Sequence, residues 1–172
     1  DGHLLVIGSC LSTFHPETVS FGNNENYIDE LLDVFNDLKN EYQIVITMPN
    51  VDTMGQMIRD KINVFYCSNP EVKVVESFGM LGYLSCMKHC SFLLGNTSSG
   101  FVEASYFPKF VINIGDRQKG RIETKNIISS KIVKEEILSA VNIIKNSEEL
   151  ENEFIYGHGD SANKIINIIK KN

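Results

Sequence analysis

The sequence predicts an α/β fold, a Rossmann-like three-layer sandwich in which helices cover both faces of a mostly parallel sheet. Short, continuously apolar segments with the composition of buried strands recur along the chain. They alternate with longer segments whose apolar residues recur every three or four positions, as on one face of a helix. This alternation is typical of βαβ units. The 42% hydrophobic and 22% charged residues are the balance of a globular domain with a buried core.

The predicted elements follow one another in a regular order. Strands are expected at 11–15, 43–48, 72–75, 92–94 and 109–114, with a last short one at Ile127 and Ile128. Helices are expected at 25–40, 53–61, 80–90, 133–146 and 161–171. Asp52 is expected to cap the second helix. These elements predict one domain over 11–172. Residues 1–10 have no predicted place in it and are interpreted as a leader or interdomain remnant.

Composition and charge exclude several classes of protein. The net charge is −6, and basic residues are scattered except for Arg117, Lys119 and Arg121, so we expect a local anion site and no nucleic-acid surface. Apolar runs stay well short of the roughly 20 residues that a membrane span needs, and the N-terminus lacks the basic flank of a signal peptide. The four cysteines form no CxxC pair. We therefore expect a cytoplasmic protein with reduced thiols.

Polar segments follow four of the predicted strands. FHPET ends the first strand, MPNVD the second, GNTSSG the fourth and GDRQKGR the fifth. In parallel sheets the ligand lies outside the carboxyl ends of the strands, where the loops lead into helices. These four segments are therefore the predicted lining of a ligand site.

GNTSSG, residues 95–100, is the best candidate for a phosphate site. A strand, then glycines and hydroxyl residues, then a predicted helix would point unpaired N–H groups at one spot near the positive end of the helix dipole. Thr97 and Ser98 add neutral donors, whereas Glu103 is better suited to accept hydrogen bonds from sugar hydroxyls. The alternative is that Ser98 or Ser99 only caps the helix and Glu103 is a solvated acid.

Five motifs together resemble one known family. FHPET, PNVD, GNTSSGFVEA, INIGDRQKGR and IYGHGD are similar, in order and spacing, to the C-terminal half of the hydrolysing UDP-N-acetylglucosamine 2-epimerases, which open sialic acid and legionaminic acid biosynthesis. The non-hydrolysing relatives favour an SDSGG-like loop and a TERPE-like segment at GNTSSG and GDRQKGR. Thr97 stands where serine is usual, and GHGD stands where a GDGN-like run is more familiar. The resemblance implies the second, UDP-binding domain of a glycosyltransferase-B-like fold.

The resemblance also implies roles for residues outside the phosphate loop. His15 looks like the family's histidine near the pyrophosphate and the reacting sugar, and is the candidate catalytic residue. Asn50 would line the nucleotide site, and Phe78 would lie beside the uracil through its backbone.

The remaining implied contacts belong to the diphosphate and the ribose. Thr97 and Ser98 would donate to the diphosphate, and Asn96 is included in the same UDP-binding set. Glu103 would bind the ribose hydroxyls, and Arg117 would support the phosphate pocket.

The family's reaction is elimination of UDP across C1 and C2 of the sugar, followed by addition of water, which releases the 2-epimeric free sugar. Its acids come from an N-terminal domain that this chain lacks, so we expect the chain alone to bind UDP without turnover. The implied partners are a UDP-sugar, that N-terminal domain and a possible second copy, with no cofactor. The alternative is a nucleotide-sugar-binding module, or the donor-binding half of a glycosyltransferase.

Each candidate residue also has a structural interpretation. His15 could bond only the backbone, and Arg117 and Arg121 could be surface charges. CMKHC carries two thiols and an imidazole, but Cys86 and Cys90 share one helix face without a second ligand pair, as on a core-facing helix. No acidic pair accompanies the phosphate loop. We therefore expect no zinc or magnesium site.

Overall fold

The computed structural model describes residues 8–51, 54–157 and 159–170. Within them the strands are β1 (Gly8–Thr13), β2 (Tyr42–Thr47), β3 (Lys73–Val75), β4 (Phe92–Gly95), β5 (Phe110–Ile114) and β6 (Ile127–Ser130). They form one sheet with the order β3-β2-β1-β4-β5-β6, and every neighbouring pair is parallel. The α/β prediction and its parallel sheet are confirmed.

Helices connect these strands. They are α1 (Asn24–Leu38), α2 (Gly55–Ser68), α3 (Gly79–His89), α4 (Lys134–Lys145) and α5 (Ser161–Ile169). Each matches a predicted helix, although α2 continues to Ser68, past its buried residues Ile58 and Ile62. The predicted cap Asp52, residues 1–7 and His158 of the GHGD motif lie outside the described residues. β1 begins at Gly8, three positions before its predicted start.

The alternation of side chains along the strands builds two cores, one on each face of the sheet. In β4, Phe92 and Leu94 pack into the larger core with α1, α2 and α4, whereas Leu93 packs into the smaller core with α3. Successive strand residues point to opposite faces, so buried residues in succession require cover on both sides. The result is the predicted three-layer sandwich.

The strand order places a switch point in the middle of the sheet. From β1 the chain moves outward through β2 and β3, then returns to place β4 on the other side of β1. Loops that leave adjacent strands in opposite directions open a crevice at their carboxyl ends. The crevice here lies between the segments that follow Thr13 and Gly95.

Two features of the helical segments differ from expectation. The stretch after GNTSSG forms two short 3-10 turns, Ser98–Gly100 and Ala104–Tyr106, where we predicted a helix. The predicted apolar face of α5 is present, but α5 has no buried residue, and Ile165, Ile166 and Ile169 are exposed.

Cysteine burial and helix hydropathy complete the description. The four cysteines are free, with Cys10 and Cys90 buried in the two cores. Burial raises the pKa of the Cys90 thiol to about 12. Among the described residues, no helix combines the length and apolar character needed to cross a membrane.

Candidate functional site

The site is built where β1 and β4 end side by side. Thr13 pairs with Gly95 in the parallel ladder, and Asn96 N–H donates to the Thr13 carbonyl at 3.2 Å. A Cβ on Gly95 would lie 2.1 Å from the Thr13 carbonyl oxygen. Only glycine permits this close approach. The first residue of GNTSSG is therefore fixed by packing of the two strands.

Asn96 ties the β4 loop to the β1 loop. Its side chain is fully buried, Oδ1 accepts from His15 N–H at 2.8 Å, and Nδ2 donates to the His15 carbonyl at 2.8 Å. Nδ2 also donates to Glu17 Oε1 at 3.2 Å. Because these bonds use both ends of the amide, the side chain holds the two loops together. The structure shows this positioning of the His15 backbone, and the His15 residue is half-buried.

A third loop, from β5, joins the same network through Glu17. Glu17 is 2% exposed, and its Oε1 also accepts the backbone N–H of Arg117 at 3.2 Å. Gly115 has φ +76°, and a Cβ there would lie 2.4 Å from Glu17 Oε1. The Glu17 carboxylate therefore occupies the space that a side chain at 115 would need, next to a backbone conformation that glycine adopts easily.

The side chains of the β5 loop reach back to the phosphate-loop candidate. Arg117 Nη1 and Gln118 Nε2 both donate to the Asn96 carbonyl, at 3.1 and 2.8 Å. Gln118 is buried, and its Oε1 accepts from Arg121 Nε at 2.6 Å. These bonds orient two guanidinium groups on one side of GNTSSG.

A basic pocket results between the β4 and β5 loops. It has a volume of about 540 Å³ and contains Ser98 together with three cations, Arg117, Lys119 and Arg121. All three cations are exposed, and no carboxylate lines the pocket. A hydroxyl surrounded by three positive charges is an arrangement that attracts phosphate oxygens.

Backbone donors are available in the turn that contributes Ser98 to this pocket. The N–H groups of Thr97, Ser98 and Ser99 make no hydrogen bond to other described residues. The following N–H groups are used within the turn, since Gly100 donates to Thr97 and Phe101 to Ser98. The predicted regular helix is wrong here, so a long helix dipole does not contribute. Three successive free donors remain, as at the start of any helical turn.

Hydroxyl groups line the other side of the turn. The Ser99 hydroxyl lies 2.8 Å from the Tyr83 hydroxyl and 3.2 Å from Thr97 Oγ1. Burial, opposed by a hydrogen bond from Ser99, raises the pKa of Tyr83, and the charge of Glu103 raises it further. Glu103 is half-buried, and its carboxylate makes no hydrogen bond or ion pair with the described residues. An acceptor therefore stands next to the turn.

Asn50 and Phe78 lie at the same edge of the sheet but outside this network. Asn50 is exposed in the loop after β2, the strand next to β1. Phe78 precedes α3 and packs against the smaller core. In the described structure no hydrogen bond links the Asn50 side chain to the three loops, and the Phe78 ring carries no hydrogen-bonding group.

Three residues of the network were not singled out from the sequence, namely Glu17, Gln118 and Tyr83. Glu17 and Gln118 stand inside the motifs FHPET and GDRQKGR, so the motifs themselves carried the signal. The only sequence signal for Tyr83 is its position on the core-facing side of a predicted helix. That position does not indicate a contact between its hydroxyl and a loop. In the described residues no group of three acidic, cysteine or histidine side chains could hold a metal ion.

Sequence comparison identifies the family. The family profile described as UDP-N-acetylglucosamine 2-epimerase matches residues 8–170. The polysialic acid biosynthesis protein P7 of Escherichia coli is 33% identical over 135 residues, which are 78% of this chain and 34% of that protein. The GDP/UDP-N,N'-diacetylbacillosamine 2-epimerase (hydrolyzing) of Campylobacter jejuni is 39% identical over 123 residues, which are 71% of this chain and 32% of that protein.

Solved structures show the same fold. The UDP-GlcNAc 2-epimerase of Methanocaldococcus jannaschii, crystallised with UDP-GlcNAc and UDP, superposes with a TM-score of 0.74 at 22% identity. The superposition covers 97% of this chain and 46% of that one. The chain thus spans less than half the length of each of these proteins.

Proposed function

Because the chain belongs to the UDP-N-acetylglucosamine 2-epimerase family, we propose that it is the UDP-binding half of a hydrolysing UDP-sugar 2-epimerase. The observation that carries this proposal is the basic pocket between the β4 and β5 loops. There Ser98 lies among Arg117, Lys119 and Arg121, next to free backbone N–H groups. A nucleoside diphosphate satisfies all of these donors at once.

In the proposed complex the diphosphate binds Thr97, Ser98 and Arg117. The ribose hydroxyls then donate to the Glu103 carboxylate, which lies next to the turn and has an unused acceptor capacity. Asn96 acts through the loop it fixes, since both ends of its side chain amide are bonded to protein.

The other proposed contacts lie at the edges of this position. The loop of Asn50 and the start of α3 at Phe78 line the nucleotide, and His15 faces the sugar. Both Asn50 and His15 follow strands in the centre of the sheet, at the carboxyl ends where ligands bind.

The reaction we propose is elimination of UDP followed by hydration. As the C1–O bond breaks, negative charge develops on the leaving diphosphate, and the basic pocket stabilises that charge electrostatically. Carboxylates must remove and return the C2 proton. These acids come from an N-terminal half that pairs with residues 11–172, consistent with relatives more than twice as long. The exposed apolar side chains of α5 are a further surface on which another part of a longer protein would pack.

The product is a 2-epimeric free sugar, N-acetylmannosamine or a diacetamido analogue. The names of the two bacterial relatives support this choice, since they refer to polysialic acid biosynthesis and to diacetylbacillosamine. The full-length protein should release UDP and free sugar from its nucleotide sugar in water alone. If UDP is released only when an acceptor is added, the protein is a glycosyltransferase instead.

Calorimetric titration with UDP tests the binding half directly. We expect Glu103→Ala to weaken UDP binding about tenfold, because two ribose hydroxyls lose a charged acceptor. The same substitution should leave binding of a 2′,3′-dideoxy analogue unchanged. Glu135→Ala, at an exposed acid in the first turn of α4, is the matched control.

A second substitution tests the assignment of the phosphate contacts. Arg117→Ala should weaken UDP binding without changing the weak binding of uridine, whereas Lys88→Ala, at an exposed position of α3, should change neither. Equal UDP affinity for wild type, Glu103→Ala and Arg117→Ala would exclude the proposed site.

A further inference from the structure

A row of three hydroxyl groups joins α3 to the turn that follows β4. Tyr83 Oη lies 2.8 Å from Ser99 Oγ, and Ser99 Oγ lies 3.2 Å from Thr97 Oγ1. Thr97 Oγ1 makes no other hydrogen bond among the described residues, so it is the outer end of this hydroxyl row. Tyr83 packs against the smaller core and forms the inner end.

The direction of the hydrogens in the hydroxyl row follows from counting them. Each hydroxyl has one hydrogen to donate and two lone pairs that accept. If Thr97 donates to a ligand, the bond between Thr97 and Ser99 must use the Ser99 hydrogen, and the next bond must use the Tyr83 hydrogen. An ionised phosphate oxygen only accepts hydrogen bonds. A phosphate bound at Thr97 therefore makes Tyr83 the terminal donor of the row.

Tyr83 is suited to be this donor. A phenol is more acidic than the hydroxyl of serine or threonine, and it therefore gives its hydrogen more readily. Burial raises the pKa of Tyr83 above its ordinary value, so the phenol still carries that hydrogen at neutral pH. The Thr13 hydroxyl also contacts Tyr83 and can donate to the phenol oxygen at the same time.

The hydroxyl row and the basic pocket use different residues of the same turn. Ser98 lines the basic pocket, whereas its neighbours Thr97 and Ser99 do not. Glu103, the proposed ribose acceptor, donates its backbone N–H to the Ser99 carbonyl at 3.1 Å, and its charge acts on Tyr83. The ribose end of the nucleotide is therefore expected next to the hydroxyl row. Consecutive residues lie about 3.8 Å apart, so one diphosphate can contact both Thr97 and Ser98.

We propose that Tyr83 is a positioning residue for the nucleotide, which acts through Ser99 to direct the Thr97 hydroxyl at the phosphate that carries the ribose. The terminal phosphate then lies in the basic pocket. This inference rests on the proposed UDP site, and Tyr83 itself does not touch the ligand. Without the phenol, the Ser99 hydroxyl loses the donor that orients and polarises it, and the Thr97 hydroxyl becomes a weaker donor to the phosphate.

The test is a double-mutant cycle, measured by calorimetric titration with UDP. Tyr83→Phe should weaken UDP binding about fivefold and leave the weak binding of uridine unchanged. Thr97→Val should weaken UDP binding about tenfold, and Tyr83→Phe should cause no further loss in that variant, because the row no longer reaches the ligand. In Thr97→Ser, which keeps the hydroxyl, Tyr83→Phe should again cost about fivefold. Losses that multiply in the Thr97→Val background would overturn the proposal.

Titration with UMP separates the two phosphate positions. Tyr83→Phe should weaken binding of UMP and UDP to the same extent, since both nucleotides carry the phosphate next to the ribose. Arg117→Ala should weaken binding of UDP more than that of UMP, which lacks the terminal phosphate. A loss for Tyr83→Phe that is confined to UDP would refute the assignment to the ribose phosphate.

A purely structural bond between Tyr83 and Ser99 gives a different result. It would lower the stability of Tyr83→Phe in urea denaturation and leave its UDP affinity unchanged, an outcome that overturns the proposal. Tyr66→Phe, at an exposed position of α2, is the matched control and should change neither quantity. If Tyr83→Phe does not fold, Ser99→Ala interrupts the same row and should show the same fivefold loss.

The proposed function and this inference fail in different ways. If Glu103→Ala and Arg117→Ala weaken UDP binding but Tyr83→Phe and Ser99→Ala do not, the UDP site stands and only the role of Tyr83 is wrong. If the wild-type chain does not bind UDP, both are wrong.

Discussion

Replacement of Asn96 by alanine should destabilise the domain strongly, although residue 96 belongs to a loop. The side chain makes hydrogen bonds of 2.8, 2.8 and 3.2 Å to the His15 backbone and Glu17, and it is 0% exposed. Each such bond contributes about 1 kcal/mol net, and a buried group left without a partner costs more. We therefore expect Asn96→Ala to lower the free energy of unfolding by about 3 to 5 kcal/mol, against a total of about 5 to 15 for a domain.

The measurement is urea denaturation followed by circular dichroism. Asn36→Ala, at an exposed position of α1, is the control and should change stability by about 0.5 kcal/mol or less. A loss below about 1 kcal/mol for Asn96→Ala would show that the three loops do not depend on this amide.

Asn96→Asp tests how this hydrogen-bond network responds to a buried negative charge, as distinct from the loss of contacts in Asn96→Ala. The introduced carboxylate keeps an acceptor for His15 N–H but loses the donor and places negative charge beside Glu17. Burial and that charge raise its folded-state pKa, so the variant binds protons on folding. Its stability relative to wild type should therefore rise as the pH falls from about 7.5 to 5. Equal pH dependence for the two proteins would refute the reasoning.

Two other predictions concern the strands below the site. Gly95→Ala should destabilise the domain by about 2 to 4 kcal/mol, because its Cβ would meet the Thr13 carbonyl oxygen at 2.1 Å, whereas Gly22→Ala, in open space, should not; thermal unfolding measures both. Burial raises the pKa of the Cys90 thiol from 9.0 to about 12, so the unfolded chain loses this proton at a lower pH than the folded domain does. The stability that the neutral thiol contributes is therefore fully present below pH 9.0 and is lost as the pH rises toward 12. The loss attributable to Cys90 is at most about 4 kcal/mol. Cys90→Ala should make the alkaline unfolding curve shallower, and an identical slope would contradict this.

The fold was predictable because its signals are local and repeated. β2, β4 and β5 are apolar on both faces, and α1 carries a clear apolar stripe with Ile28, Leu31 and Phe35. The rule that ligands lie at the carboxyl ends of parallel strands then predicts that FHPET and GNTSSG share one edge of the sheet. Strand order was not predictable from periodicity, since it depends on which strands pair.

The site was predictable only in part. Residues in recognisable motifs, such as Ser98 and Arg117, meet in one pocket as the anion hypothesis requires. The conformation after Ser98 was missed, because a run of small residues and an acid is compatible with a helix start and with a short 3-10 turn. Tyr83 was missed because its hydroxyl contact with Ser99 joins elements that are distant in sequence.

Glu17 explains why the three loop motifs function as one unit. Its Oε1 accepts from Asn96 of one loop and from the Arg117 backbone of another, and Gly115 leaves the space that this oxygen occupies. A side chain at 115 would push the carboxylate away from both donors, and Arg117 would lose the backbone bond that sets its direction. The same carboxylate also lines a cleft of about 660 Å³ beside the β5 loop, although it does not line the basic pocket. A displacement of Glu17 must therefore affect both loops that form the basic pocket, since the Asn96 side chain and the Arg117 backbone N–H share this single oxygen.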